Sequence, residues 1–173
     1  CFWCVESCFN LLIGVHAAIS GYSGGHKANP TYEEVCTGET GHAEVVQIAY
    51  DPSLISYEQL MDVFFFLHDP TQLNRQGNDI GTQYRSVIFF KDEAEKAKAE
   101  NALKQSELSE RWNGTYVTEI TKLDEFFPAE QYHQGYYEVN PTQPYCSAVV
   151  GPKIAKFKKH YGELGMLRAD LNN

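Results

Sequence analysis

Cys1, Cys4 and Cys8 crowd the first eight residues, and a Phe-Trp pair separates the first two. Thiols placed this way could be a dithiol redox pair, a metal clip, or one reactive cysteine with an aromatic pocket. If the segment from Cys1 to about Leu11 is a helix, the Cys1 thiol faces unpaired backbone N–H groups and the positive end of the macrodipole. Both favour thiolate and bring a pKa of ~8.5 down by about one unit or more. The alternative is a buried, inert cysteine. Phe2 and Trp3 could wall a site for a methyl or thioether group, or could simply fill the core. Cys1 and Cys4 also form a C-x-x-C, the spacing of a thioredoxin-like dithiol. Zinc would need two more ligands at short spacing, and His16, His26 and His42 are scattered, so no metal is expected.

Glu44 is the second chemically informative residue. In "HAEVVQIAY" the alternation puts it on one face with Val46, Ile48 and Tyr50, so a carboxylate points toward the apolar layer. Burial there raises its pKa, and a carboxylic acid protonated near neutrality is a general acid. If the strand begins after Glu44, the side chain is solvated instead. Tyr32 and Tyr84 flank loops that also hold Asp79, and phenolic O–H groups lining a pocket can orient a substrate oxygen; each could equally be packing. The histidines show no H-x-x-x-H spacing, and neither a G-x-S-x-G elbow nor a phosphate loop is present.

These residues need elements to hold them. After the first helix, "SGYSGGHKANP" (Ser20–Pro30) reads as a Gly-rich loop, "TYEEV" as a helical turn and "HAEVVQIAYDP" as a strand. Ser56 and Gln59 make a capping box ahead of Tyr57, Leu60, Met61, Phe64 and Leu67 at helical spacing. "HDPTQLNRQGNDIGTQ" is a polar loop leading to the strand "YRSVIFF". "KDEAEKAKAENALKQSE" is a solvated helix with Asp92–Lys96 and Glu100–Lys104 pairs. "TYVTEIT" reads as a strand, "PAEQYHQGYYEV" as an aromatic-rich helix with Pro128 near its start, and "PKIAKFKKHYGEL" as a last helix ending near Gly162. The order predicts an α+β two-layer sandwich, a mixed, mostly antiparallel sheet with helices packed on it, of ferredoxin-like type.

At 173 residues, one catalytic domain over 1–173 can bury a core without disulfide staples. The five cysteines, with Cys36 and Cys146 completing the set, are odd in number and clustered, which suits a reducing compartment and a cytoplasmic location. A net charge of −9 without a basic stripe argues against nucleic acid. No apolar run approaches the roughly 18 residues of a membrane span.

Taken together, "CFWCVE", "GYSGG", "YEEVCTGETGHAEVV" and "HDPTQLNRQGNDIGTQYRS", in that order, resemble the type A peptide methionine sulfoxide reductases. The resemblance runs through "EQYHQGYY" and on to "NPTQPYC". It implies reduction of the S-epimer of methionine sulfoxide, free or in proteins, by a monomer with no bound cofactor. A thioredoxin-like dithiol protein would be the reductant. It further implies Cys1 as the nucleophile on sulfur, Phe2 and Trp3 as the S-methyl pocket, and Glu44 as the acid that protonates the sulfoxide oxygen. Tyr32 and Tyr84 would hold that oxygen, with Asp79 organising the site through water. Attack would leave Cys1 as a sulfenic acid, which a second thiol condenses to a disulfide.

The sequence departs from the family pattern in two places. The strand and glycine that precede the family's motif are missing before Cys1, which is expected to reflect trimming. The usual resolving cysteine lies in a loose C-terminal tail, whereas Cys146 here is followed by a helix. Cys4 occupies a place that is often glycine, and three residues from Cys1 it could also form the disulfide. Cys8, one helical turn beyond Cys4, could serve as a relay but is read as a buried structural thiol, and Cys36 is read as packing. A general thiol–disulfide oxidoreductase built on Cys1–Cys4, and a non-catalytic module that binds Met segments, are the rival readings.

Overall fold

The computed structural model describes residues 1–169. Helix α1 (Phe2–Asn10) opens the fold, with Cys1 as its N-cap residue, and is followed by strand β1 (Val15–Ser23). Helix α2 (Tyr32–Cys36) is only five residues long, yet a reciprocal capping box fixes its start: the Glu34 N–H donates to Thr31 Oγ1 and the Thr31 N–H to the Glu34 carboxylate. Strand β2 (Ala43–Tyr50) and helix α3 (Tyr57–Leu67) come next, the latter started by the expected Ser56–Gln59 box. A small hairpin, β3 (Arg75–Gln76) and β4 (Asp79–Ile80), and a 3-10 turn at Thr82–Tyr84 lead into β5 (Val87–Phe90). Then follow helix α4 (Glu93–Leu108), strands β6 (Glu119–Lys122) and β7 (Phe126–Pro128), the short helix α5 (Tyr136–Val139) and helix α6 (Gly151–Glu163).

This is a mixed α+β fold. Its main sheet is antiparallel in the order β2-β1-β7, beside the β3-β4 hairpin and a parallel β5-β6 pair crossed over by α4. The register sets Tyr22 directly opposite Glu44, and antiparallel partners share a face. Gly21 lets β7 approach, because a Cβ there would lie 2.4 Å from the Phe126 ring. Helix α1 packs on β1 and β2, with α3 and α6 against α1, and together they bury Cys8, Phe9, Leu12, Val63, Phe157 and Tyr161. Among the described residues, no helix is long and apolar enough to cross a membrane.

Several expectations need correcting. Ser20–Ser23 is strand, and the Gly-rich loop begins only at Gly24; the mixture of Ala, Gly and Ser in β1 carries little β-propensity of its own. Pro128 ends a strand, and the expected aromatic helix behind it is broken into a 3-10 turn at Gln131–His133 and α5. The break is Gly135, left-handed at φ 65°. The sheet of "YRSVIFF" begins at Val87, and that of "TYVTEIT" at Glu119. On α4, Asp92 does not pair with Lys96 but caps the helix by accepting the Glu95 N–H, and the ion pair formed is Lys91–Glu95.

Candidate active site

Cys1 stands at the N-terminus of α1 with no side chain capping the helix and no acidic residue in its first turn. The N–H end of the helix therefore lies beside Cys1, and the carboxylate that reaches it comes from outside the helix, where Glu44 accepts the Phe2 N–H at 3.4 Å. Cys1, Phe2, Glu44 and Tyr84 line one cavity of about 550 Å³ that continues along β2 and α3, past Val46, Ile48, Met61 and Phe64. Glu44 is half-buried and lines the cavity, as its alternation predicted, while Gln47 and Ala49 are exposed. Burial pushes the Glu44 carboxyl up to about 7, and a long 3.4 Å contact from the Phe2 N–H pulls only weakly the other way. Asp79 adds to the upward push.

Tyr32 and Tyr84 are both close enough to Glu44 to feel its charge, and burial raises both phenols above their ordinary value. They remain O–H donors throughout the physiological range. Asp79, on the β3-β4 hairpin, accepts a 2.6 Å hydrogen bond from the Tyr145 hydroxyl. Tyr32, Tyr84 and Asp79 are thus close enough to Glu44 for their charges to interact, and Cys1 and Tyr84 share its cavity, which Tyr32 and Asp79 do not line.

Phe2 and Trp3 fall into different surroundings. Phe2 is buried among Tyr22, Val35 and Ala129, stacked near Tyr32 at 6.5 Å between centroids. Trp3 is half-buried, with its ring stacked on Tyr136 at 3.9 Å and edge-on to Tyr145. Its indole N–H donates to Nδ1 of His133 at 3.0 Å, which places the neutral imidazole's own proton on Nε2. Burial lowers the His133 pKa, so the ring stays neutral and keeps accepting.

Most of the residues that pattern reasoning missed lie between 130 and 145. His133, Tyr136 and Tyr145 frame Trp3, and Glu130 accepts hydrogen bonds from Tyr22, Tyr32 and Tyr132. The Gln134 side-chain amide bonds both the N–H and the C=O of Ser20, continuing the β1 edge as a strand residue would. The buried Glu6 carboxylate accepts the Gly135 N–H, and burial raises its pKa to about 7. The density of Glu, Gln, His and Tyr in "EQYHQGYY" was the available signal.

All five cysteines are free thiols. Cys8 is buried as expected. Cys36 is exposed, contrary to the packing role expected of it, although its thiol meets the Tyr32 hydroxyl. Cys4 and Cys146 are both buried. A hydrogen bond from Cys8 lowers the Cys4 pKa, whereas burial raises those of Cys8 and Cys146. Cys146 opens a π-helical turn, Cys146–Val150, immediately after Tyr145. Among the described residues, no group of three or more His, Cys, Asp or Glu side chains is placed to hold a metal.

The family profile described as peptide methionine sulfoxide reductase matches residues 1–164. The chain belongs to the peptide methionine sulfoxide reductase family. It is 54% identical over 159 residues to the peptide methionine sulfoxide reductase MsrA of Nautilia profundicola, covering 92% of this chain and 90% of the relative. To the MsrA of Sulfolobus acidocaldarius it is 50% identical over 169 residues, covering 97% and 94%. Among solved structures, methionine sulfoxide reductase A of Corynebacterium diphtheriae superposes with a TM-score of 0.75 at 38% identity, over 83% of this chain and 72% of that one. Reduced Mxr1 of Saccharomyces cerevisiae gives the same TM-score at 33% identity, over 83% and 82%.

Proposed function

We propose that the chain reduces the S-epimer of methionine sulfoxide, free or within proteins, with Cys1 as nucleophile and Glu44 as general acid. The activity itself is that of a peptide-methionine (S)-S-oxide reductase. The observation that carries the residue assignment is the placement of a helix-terminal thiol and a carboxyl with a pKa of about 7 in one cavity. A sulfoxide oxygen leaves poorly until protonated, and sulfur is attacked well only by thiolate. The Cys1 thiolate attacks the sulfoxide sulfur while Glu44 gives its proton to the oxygen. Methionine is released, and the oxygen stays on Cys1 as sulfenic acid. Tyr32 and Tyr84 donate hydrogen bonds to the oxygen as charge builds on it, Asp79 organises the site through Tyr145 and water, and Phe2 and Trp3 receive the S-methyl group.

A second thiol then displaces water from the sulfenic acid to give a disulfide, which a thioredoxin-like dithiol protein reduces while being oxidised itself. Two thiols are candidates. Cys4 is favoured by its lowered pKa and its place three residues from Cys1, and Cys146 by its position next to Tyr145, which touches Trp3. The rest of the reading is a cytoplasmic monomer without bound cofactor, one catalytic domain over 1–173. The ferredoxin-like grouping of the fold is supported by the antiparallel β1-β2 pair and the β5-α4-β6 crossover. The test is single-turnover release of methionine by the pre-reduced protein without added reductant, with mass mapping of the disulfide in Cys4→Ser and Cys146→Ser. One methionine per protein and a disulfide lost in one variant are expected. No methionine release overturns the reaction, and full turnover by both variants without sulfenic acid build-up overturns the choice of resolving thiols.

A further inference from the structure

We propose that Glu130 is a positioning residue for the reaction, setting the place of Tyr32 through the backbone of α2; this rests on the role given to Tyr32 above. One carboxylate joins three elements. Its Oε1 accepts the Tyr22 hydroxyl of β1 at 3.0 Å, and its Oε2 accepts the Tyr32 N–H at the start of α2 at 3.0 Å and the Tyr132 hydroxyl of the 3-10 turn at 3.2 Å. Tyr22 is fully buried, so its hydroxyl depends on this partner. The Tyr32 N–H is one of the donors that a helix start leaves without an intrahelical acceptor. The neighbouring donor, at Glu34, is already taken by Thr31, so the two carboxylate and hydroxyl acceptors together fix the first turn of α2.

The tyrosines so gathered enclose the aromatic wall beside the thiol. Tyr22 and Tyr32 lie 5.8 and 6.5 Å from Phe2, while Tyr32 and Tyr132 lie 4.3 and 4.2 Å from the buried His133. Glu130 holds Tyr32 by its backbone and leaves the phenol hydrogen-bonded to the Cys36 thiol and close enough to Glu44 and Tyr84 to feel their charge. The carboxylate therefore does not touch the reacting atoms. It decides where a hydroxyl that does touch them stands, and displacement of such a group by about 1 Å costs on the order of 10²-fold in rate.

A double-mutant cycle in single turnover, with a methionine sulfoxide peptide saturating the pre-reduced protein, tests this. Tyr32→Phe and Glu130→Ala should each lower the limiting rate by about 10- to 100-fold, and the pair together should fall no further than the worse single variant. Glu130→Gln should restore most of the rate, since its amide oxygen can still accept the Tyr32 N–H at the Oε2 position, while its NH₂, which cannot accept the Tyr22 O–H, lowers the urea midpoint instead. If Glu130→Ala does not fold, as read from its urea midpoint, the cycle is run with Glu130→Asp, whose shorter side chain cannot span the three donors. Multiplicative losses, or an unchanged rate in folded Glu130→Ala or Glu130→Asp, overturn the positioning role. An unchanged rate in Tyr32→Phe alone instead overturns the role given to Tyr32.

Discussion

Replacing Glu44 by glutamine removes an acid while keeping the side chain's shape and its contact with the Phe2 N–H. With a pKa of about 7, Glu44 carries its proton in about half of the molecules at pH 7 and in about one tenth at pH 8. The rate of methionine release should therefore be level in acid, as far as Glu44 governs it, and fall about tenfold per pH unit above 7. The Gln variant should lose about 10²- to 10⁴-fold at pH 6, the usual worth of a positioned proton donor, and the descending limb should vanish with it. The assay is rapid-quench single turnover from pH 5.5 to 8.5, counting methionine from a methionine sulfoxide peptide, with no recycling reductant present. A Gln variant that retains the descending limb, or loses less than about tenfold, refutes the assignment. The same variant separates the rival chemistry, because a general thiol–disulfide oxidoreductase on Cys1–Cys4 needs no acid at the sulfoxide oxygen. Disulfide reductase activity that survives Glu44→Gln at full rate, alongside unchanged sulfoxide reduction, would favour that rival.

Glu6→Gln should relieve a pH-dependent cost. The native pKa of about 7 lies above the ordinary 4.5, so the folded state binds more protons between those values and stability is lost as pH rises through the window. Thermal melts should show wild type losing up to about 3 kcal/mol more than Glu6→Gln between pH 4.5 and 8, and parallel curves would contradict this. His68 works with the opposite sign: burial against Phe64 and Ser86 lowers its pKa to about 4, so the unfolded chain takes up the proton first and stability falls as pH drops from 6.5 toward 4. His68→Gln should flatten that acid limb in urea titrations, and an unaltered limb would assign it elsewhere. Gly21→Ala should cost about 1–3 kcal/mol by the urea midpoint, because the added Cβ overlaps the Phe126 ring and the Phe127 carbonyl; an unchanged midpoint would mean β7 shifts freely.

What the sequence disclosed follows from the range over which each signal acts. Cys1 at a helix start and Glu44 on an inward strand face are local facts, carried by a few residues of spacing, and both stand where that spacing put them. The capping box at Ser56 is equally local and equally legible. The frame around Trp3 is different. His133 meets Trp3 across 130 positions, Gly135 meets Glu6 across 129, and Gln134 meets Ser20 across 114. No periodicity within residues 128–139 could disclose such partners, and helical spacing there was misleading, since Gly135 turns the chain left-handed in mid-pattern. Residue type still carried information that spacing did not. A half-buried stretch dense in Glu, Gln, His and Tyr must find hydrogen-bond partners, and a regular helix would have pointed most of them at water. Breaking the helix at Gly135 lets its N–H meet Glu6 and sets Tyr136 on the indole of Trp3. The position at which the local pattern fails is thus the one that lets the distant half of the site close over Cys1's helix, in keeping with the tendency of function to collect where local and global preferences conflict.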